Sequence, residues 1–121
     1  MNTLNQAKQL QTRTKAFAVR VIKAFARLPK DEATRITGRQ FLRSATSLAA
    51  NYRAACRARS GADFISKIIV VAEEANETLF WLELLVEAEL VKTKLIEPLM
   101  NECRELLKIF SASLATARRN R

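Results

Sequence analysis

The sequence predicts an all-α protein, an up-down-up-down antiparallel four-helix bundle that assembles into a ring. Three observations carry this. Gly and Pro number two each among 121 residues, while Ala and Leu abound, which is the composition of long helices and not of sheets joined by turns. Apolar residues recur at helical spacing in four long segments with short connections, so neighbouring helices run antiparallel. The second and third segments carry more interaction surface than a lone bundle needs, which points to contacts between copies. The length fits one domain, residues 1–121, with a core that needs no disulfide or metal.

The first helix is placed at residues 3–28. Leu10, Phe17, Val21, Ala24, Phe25 and Leu28 form its apolar stripe, and Pro29 ends it. Lys8, Arg13, Lys15, Arg20, Lys23 and Arg27 cover much of the rest.

The second helix is placed at residues 32–59. Asp31 and Thr34 both qualify as its N-cap. Gly38 weakens its opening turns by about 1 kcal/mol relative to Ala, which predicts a frayed start. Phe41, Leu42, Ala45, Leu48, Ala49, Tyr52, Ala55 and Cys56 form one apolar face. Arg35, Arg39, Arg43, Arg53 and Arg57 fall within an arc of about 80° on the other side, a stripe roughly 33 Å long. Between these lies a strip of small and amide side chains: Gln40, Ser44, Ser47, Asn51, Ala54 and Ala58. It suits close approach of another helix, from this chain or from another copy.

The third helix is placed at residues 62–89. Ser60 with Asp63 three residues on resembles a capping box. Phe64, Ile68, Ala72, Ala75, Leu79, Leu82 and Val86 form the expected core stripe. A second apolar set, Val70, Trp81, Leu84 and Ala88, falls among Glu73, Glu74 and Glu77 on the outer side. An exposed aromatic patch rimmed by acids reads as an interface.

The fourth helix is placed at residues 95–118, with its start between Thr93 and Glu97, because Pro98 is tolerated only near a first turn. Leu95, Leu99, Cys103, Leu106, Leu107, Phe110 and Leu114 face inward. Arg118, Arg119 and Arg121 form a basic, frayed tail.

The net charge is +9, with no His. Residues 1–59 hold thirteen Lys and Arg against two acids, a net of +11; residues 60–121 hold eight against ten, a net of −2. Such asymmetry points to an anionic partner for the first half, or to a basic face meeting an acidic face of another copy. The lack of His removes His-based catalysis and di-iron sites of the Glu-x-x-His type. There is no glycine-rich phosphate loop, and Ser and Cys have no His base. Glu73 with Glu77, and Glu83 with Glu87, have helical spacing but no accompanying ligands. No catalytic residue, metal or cofactor is expected. Cys56 and Cys103 lack metal or redox spacing and read as buried free thiols, which fits a reducing cytoplasm. No apolar run reaches the roughly 20 residues that span a bilayer. The basic first helix needs its apolar face for the core, so a membrane surface is not an expected partner.

Residues 43–85, RSATSLAANYRAACRARSGADFISKIIVVAEEANETLFWLELL, closely resemble the four-helix-bundle family encoded in intervening sequences of bacterial 23S ribosomal RNA. The specific features run from Gln40 to Leu85: Arg-Ser-x-x-Ser, Ala-Asn, Arg-Ser followed by Asp-Phe-Ile, then Glu-Glu and Trp-Leu-Glu. The family also resembles the accessory proteins of diversity-generating retroelements, which form pentameric barrels and bind nucleic acid and a reverse transcriptase. The resemblance implies a bundle that forms a ring of five, a homopentamer without catalytic residues, and an association with RNA or DNA.

Two uses of the charges follow. In self-assembly, Arg39, Arg43, Arg53 and Arg57 of one copy meet Val70, Glu73, Glu74, Glu77, Trp81 and Leu84 of the next, a head-to-tail contact that closes into a ring. In nucleic-acid binding, Lys8, Arg13, Lys15, Arg20, Lys23 and Arg27 grip phosphate. No base-reading motif is present, so such binding follows backbone charge. The alternative is a protein–protein scaffold or accessory subunit with no nucleic-acid contact.

Overall fold

The structure, a computed structural model, describes residues 4–120. The predicted helix start at residue 3, and Arg121 of the tail, lie outside the described residues. Four helices make up the fold: α1 (Leu4–Ala26), α2 (Glu32–Ala55), α3 (Gly61–Glu87) and α4 (Thr93–Arg119). Each connection is five residues long, which permits only antiparallel neighbours. The closest packing is between α2 and α3, then α3 with α4 and α1 with α2; α1 and α4 meet least. The all-α bundle and its connectivity agree with the sequence expectation.

Local chemistry sets the helix ends. Pro29 follows the last turn of α1, and Asp31 caps α2, its carboxylate accepting from the Thr34 backbone N–H at 3.1 Å and from the Thr34 hydroxyl at 2.8 Å. Thr34, the other cap candidate, is therefore the partner of the cap and is fully buried. At α3, the Ser60 hydroxyl accepts from the Asp63 N–H, while Asp63 accepts from the Arg59 N–H and from Lys67 at 2.6 Å. The box thus closes one residue earlier than the usual form, on the residue before the cap.

These bonds hold the Asp31 carboxyl below its ordinary 3.8, chiefly through the Thr34 N–H, and hold Asp63 below it chiefly through Lys67. A depressed folded-state pKa adds stability above the unfolded value and loses it as pH falls through the folded value. Thermal melts at fixed salt are therefore flat from pH 7 to about 5 and drop on further acidification. Asp31→Asn with Asp63→Asn flattens part of that drop.

Helix ends differ from expectation in several places: α2 stops at Ala55, short of the predicted residue 59, so Arg57 lies in the connection that follows. Fraying at Gly38 does not occur: the residue is buried inside a continuous α2, and a Cβ there would lie 2.8 Å from Leu28 Cδ1 and 3.3 Å from Phe25 Cε1. Glycine serves the close crossing of α1 over α2. α4 begins at Thr93, the early limit of the expected Thr93–Glu97 window, and so encloses Pro98 beyond its first turn. It also runs in order to Arg119, past the predicted frayed tail. The left-handed Glu89 (φ 58°) closes α3, with the Leu90 and Val91 N–H groups both on the Leu85 carbonyl.

The core contains most of the residues the periodicity selects, including Phe17, Val21, Phe41, Leu48, Ile68, Leu82, Leu106 and Phe110. Tyr52 and Phe110 meet at its centre, ring centroids 5.6 Å apart. On α3 the buried line is rotated from the expected one. Ile65, Ile68, Val71, Ala75, Thr78, Leu82 and Leu85 are innermost, and Phe64, Ala72, Leu79 and Val86 only flank the core. The rotation follows because α3 packs against both α2 and α4 and buries the arc between them. The small-residue strip of α2 meets α3 of the same chain, with the buried Ser44 and Thr78 hydroxyl oxygens 2.9 Å apart.

Candidate nucleic-acid interface

The outward side of α1 and α2 holds the basic half of the sequence. Two of its arginines are engaged inside the fold. Arg13 forms a two-pronged bridge to Glu102 on α4, Nε to Oε2 at 2.7 Å and the second nitrogen to Oε1 at 2.8 Å. That bond holds Glu102 below its ordinary 4.5 and raises Arg13. It clamps α1 to α4, the least closely packed pair. Arg43 reaches the Glu74 carboxylate at 3.3 Å and Glu77 at 3.1 Å, and the Glu74 side chain is only 11% exposed.

These pairs correct two expectations. Arg13 leaves the phosphate-binding set, because its guanidinium fork is filled by a carboxylate. Arg43 with Glu74 and Glu77 is an internal pair, so those three groups do not await a neighbour.

The remaining cations of this half, Lys8, Lys15, Arg20, Lys23, Arg27, Lys30, Arg35, Arg39, Arg53, Arg57 and Arg59, are exposed and form no ion pair among the described residues. Three of them converge. Arg53 stands in the last turn of α2, Arg57 follows in the α2–α3 connection, and Lys15 faces them from α1. With Gln11, Thr12, Ala49 and Ala50 they line a groove of about 370 Å³. The two alanines keep its floor open, and no carboxylate lines it. Arg57 also borders a second groove with Ala54, Arg59, Asp63 and Lys67, where Asp63 is already tied to Lys67. The sequence had divided Lys15 from Arg53 and Arg57, assigning one to phosphate and two to self-assembly. Only the α1–α2 crossing joins them.

The outer face of α3 also differs from expectation. Trp81 is not the exposed aromatic: it packs against the core, and its indole N–H is buried without an acceptor. It lies one turn from Thr78 and two from Glu74, both turned toward α2. Phe80 takes the exposed place, 49% accessible and edge-on to Trp81 with centroids 5.1 Å apart. Val70 is exposed, Leu84 is half-buried, and Glu73 and Glu77 stand on the solvent side. The antiparallel register of Ser44 and Arg43 with Thr78 and Glu77 brings the exposed Ile36 level with Leu84.

The thiols are unpaired and set apart from the basic groove. Burial pushes the Cys103 thiol up to about 12, and it donates to the Ala75 carbonyl. Cys56 is half-buried beside Tyr52, in a cavity of about 580 Å³ whose lining holds no charged side chain. Among the described residues no three of His, Cys, Asp and Glu lie together as metal ligands. Among the described residues no helix is long and apolar enough to cross a membrane.

Comparison with known proteins agrees with the resemblance drawn from the sequence. The family model described as 23S rRNA-intervening sequence protein matches residues 7–112. A crystal structure at 1.70 Å from Bacteroides thetaiotaomicron, of a protein with unknown function from the S23 ribosomal protein family, is 36% identical with a TM-score of 0.79. The match covers 86% of this chain and 96% of that one. A search of curated proteins finds no match. Over nearly its whole length, then, this chain belongs to the 23S rRNA-intervening sequence protein family.

Proposed function

We propose that this chain is a non-catalytic, self-associating bundle protein of the cytoplasm that binds the nucleic-acid backbone through its α1–α2 surface. One observation carries the reading: Lys15, Arg53 and Arg57 converge on a groove with no carboxylate. Unpaired cations held close together repel each other, and a polyanion relieves that repulsion while releasing its own counterions. Recognition is then by charge, sensitive to salt and indifferent to base sequence. Self-association is assigned to the α3 face, where Val70, Phe80 and Leu84 supply apolar area and the exposed Glu73 sets orientation. The resemblance noted above implies a ring of five. The exposed Phe80 favours the second reading, a scaffold or accessory subunit that meets only protein.

Fluorescence anisotropy of a labelled oligonucleotide at low salt separates the two. Arg53→Glu with Arg57→Glu is expected to weaken binding at least about tenfold. Lys92→Glu with Lys94→Glu, an equal change in net charge at the exposed start of α4, stays within about threefold of the parent. Equal losses, or no binding by the parent chain, reject the nucleic-acid reading in favour of the scaffold. Light scattering on the same samples reports an assembly larger than a dimer, reduced in mass by Val70→Glu with Phe80→Glu. A monomer at micromolar concentration removes self-association.

A further inference from the structure

We infer that the α1–α2 surface takes a double helix, of DNA or RNA, in preference to a single strand. This rests on the nucleic-acid reading above and goes further, because the structure shows which kind of contact the surface lacks.

Proteins that hold single strands combine a cationic groove with exposed aromatic rings on which bases stack, each stack contributing about 1–3 kcal/mol. α1 and α2 contain four aromatic residues. Phe17, Phe41 and Tyr52 are at most 1% exposed, and the ring of Phe25 lies over Gly38. Phe25 is half-buried, and the exposed aromatic, Phe80, is on α3 beside acidic residues. The basic surface therefore offers charge without a stacking platform.

Charge alone favours the duplex on two grounds. A duplex carries one phosphate per about 1.7 Å of axis, denser than either strand by itself. It is also stiff. Arg35 and Arg39 stand near one end of α2, with Arg53 near the other and Arg57 just beyond it; between them Arg43 is taken up by Glu74 and Glu77, and Thr46, Ala49 and Ala50 are uncharged. At 1.5 Å per residue the helix from Arg35 to Arg53 is about 27 Å long, and Arg57 in the turn that follows extends the stripe toward the length of one duplex turn, about 34 Å. A rigid rod reaches both clusters at no ordering cost, whereas a flexible strand must be straightened along the whole face.

The test is anisotropy with full-length protein and four probes of equal length, about 20 nucleotides: duplex DNA, duplex RNA, oligo-dT and oligo-U. Both duplexes are expected to bind about tenfold tighter than either single strand. Log affinity should fall with log salt at about −0.9 per phosphate neutralised for the duplexes and about −0.7 for the strands. Arg53→Glu with Arg57→Glu should remove the duplex preference, with the fold checked by circular dichroism. A difference between the two duplexes assigns the source of the double helix and leaves the inference standing. Single strands that bind as tightly as duplexes overturn it while the nucleic-acid reading survives. No binding to any probe at low salt overturns both.

Discussion

Phe110→Ala lowers the unfolding free energy by about 4 kcal/mol, read as a shift of the urea midpoint. Phe110 is fully buried on α4 and meets Tyr52 of α2 at 5.6 Å, tilted by 32°. α2 and α4 are diagonal in the bundle, and their backbones do not approach each other. The two rings therefore span the gap between these opposite helices. The uncharged cavity beside Tyr52 is lined by Ala55, Ala58, Ala112 and Ala117, side chains too short to fill the gap. The loss is then transfer free energy plus a persistent cavity. Against the roughly 5–15 kcal/mol of a typical domain, it removes between about a quarter and most of the stability. Phe110→Leu keeps most of the volume and costs about 1.5 kcal/mol. A Phe110→Ala loss below that of Phe110→Leu would remove the ring pair from the centre of the core.

Arg43→Glu is expected to cost about 3 kcal/mol, while Arg39→Glu, one turn earlier on the same stripe, changes stability by about 0.5 kcal/mol or less. Arg43 stands over Glu74, whose side chain is 11% exposed, and over Glu77. Removing the guanidinium leaves a largely buried carboxylate without its cation, and a glutamate adds like-charge repulsion. The half-exposure of Arg43 keeps the cost below that of a fully buried pair. Arg39 is exposed and meets no carboxylate among the described residues. Chemical denaturation of the two variants compares them directly. Equal costs would mean that the pair with Glu74 contributes nothing to the fold, and Arg43 would rejoin the cations open to a partner.

The four helices, their order and most of their ends were legible in the sequence. Pro29, the Asp31 cap and the Ser60–Asp63 box act within one helical turn, so nearby residues suffice to determine them. Phe17, Phe41, Leu48, Leu106 and Phe110 were equally plain, since periodicity marks the face a helix must bury. The residues 43–85 that carried the family resemblance lie within the matched span. What periodicity cannot supply is the identity of the neighbour across that face. Only packing placed Glu102 against Arg13, 89 positions apart, and turned Glu74 inward onto Arg43. Only the rotation of α3 between two partners drew Trp81 toward the core and left Phe80 outside. Only the crossing of α1 over Gly38 set Lys15 beside Arg53 and Arg57. The pattern along one helix reports a direction around its own axis, while the charges left for a ligand depend on where the other helices stand.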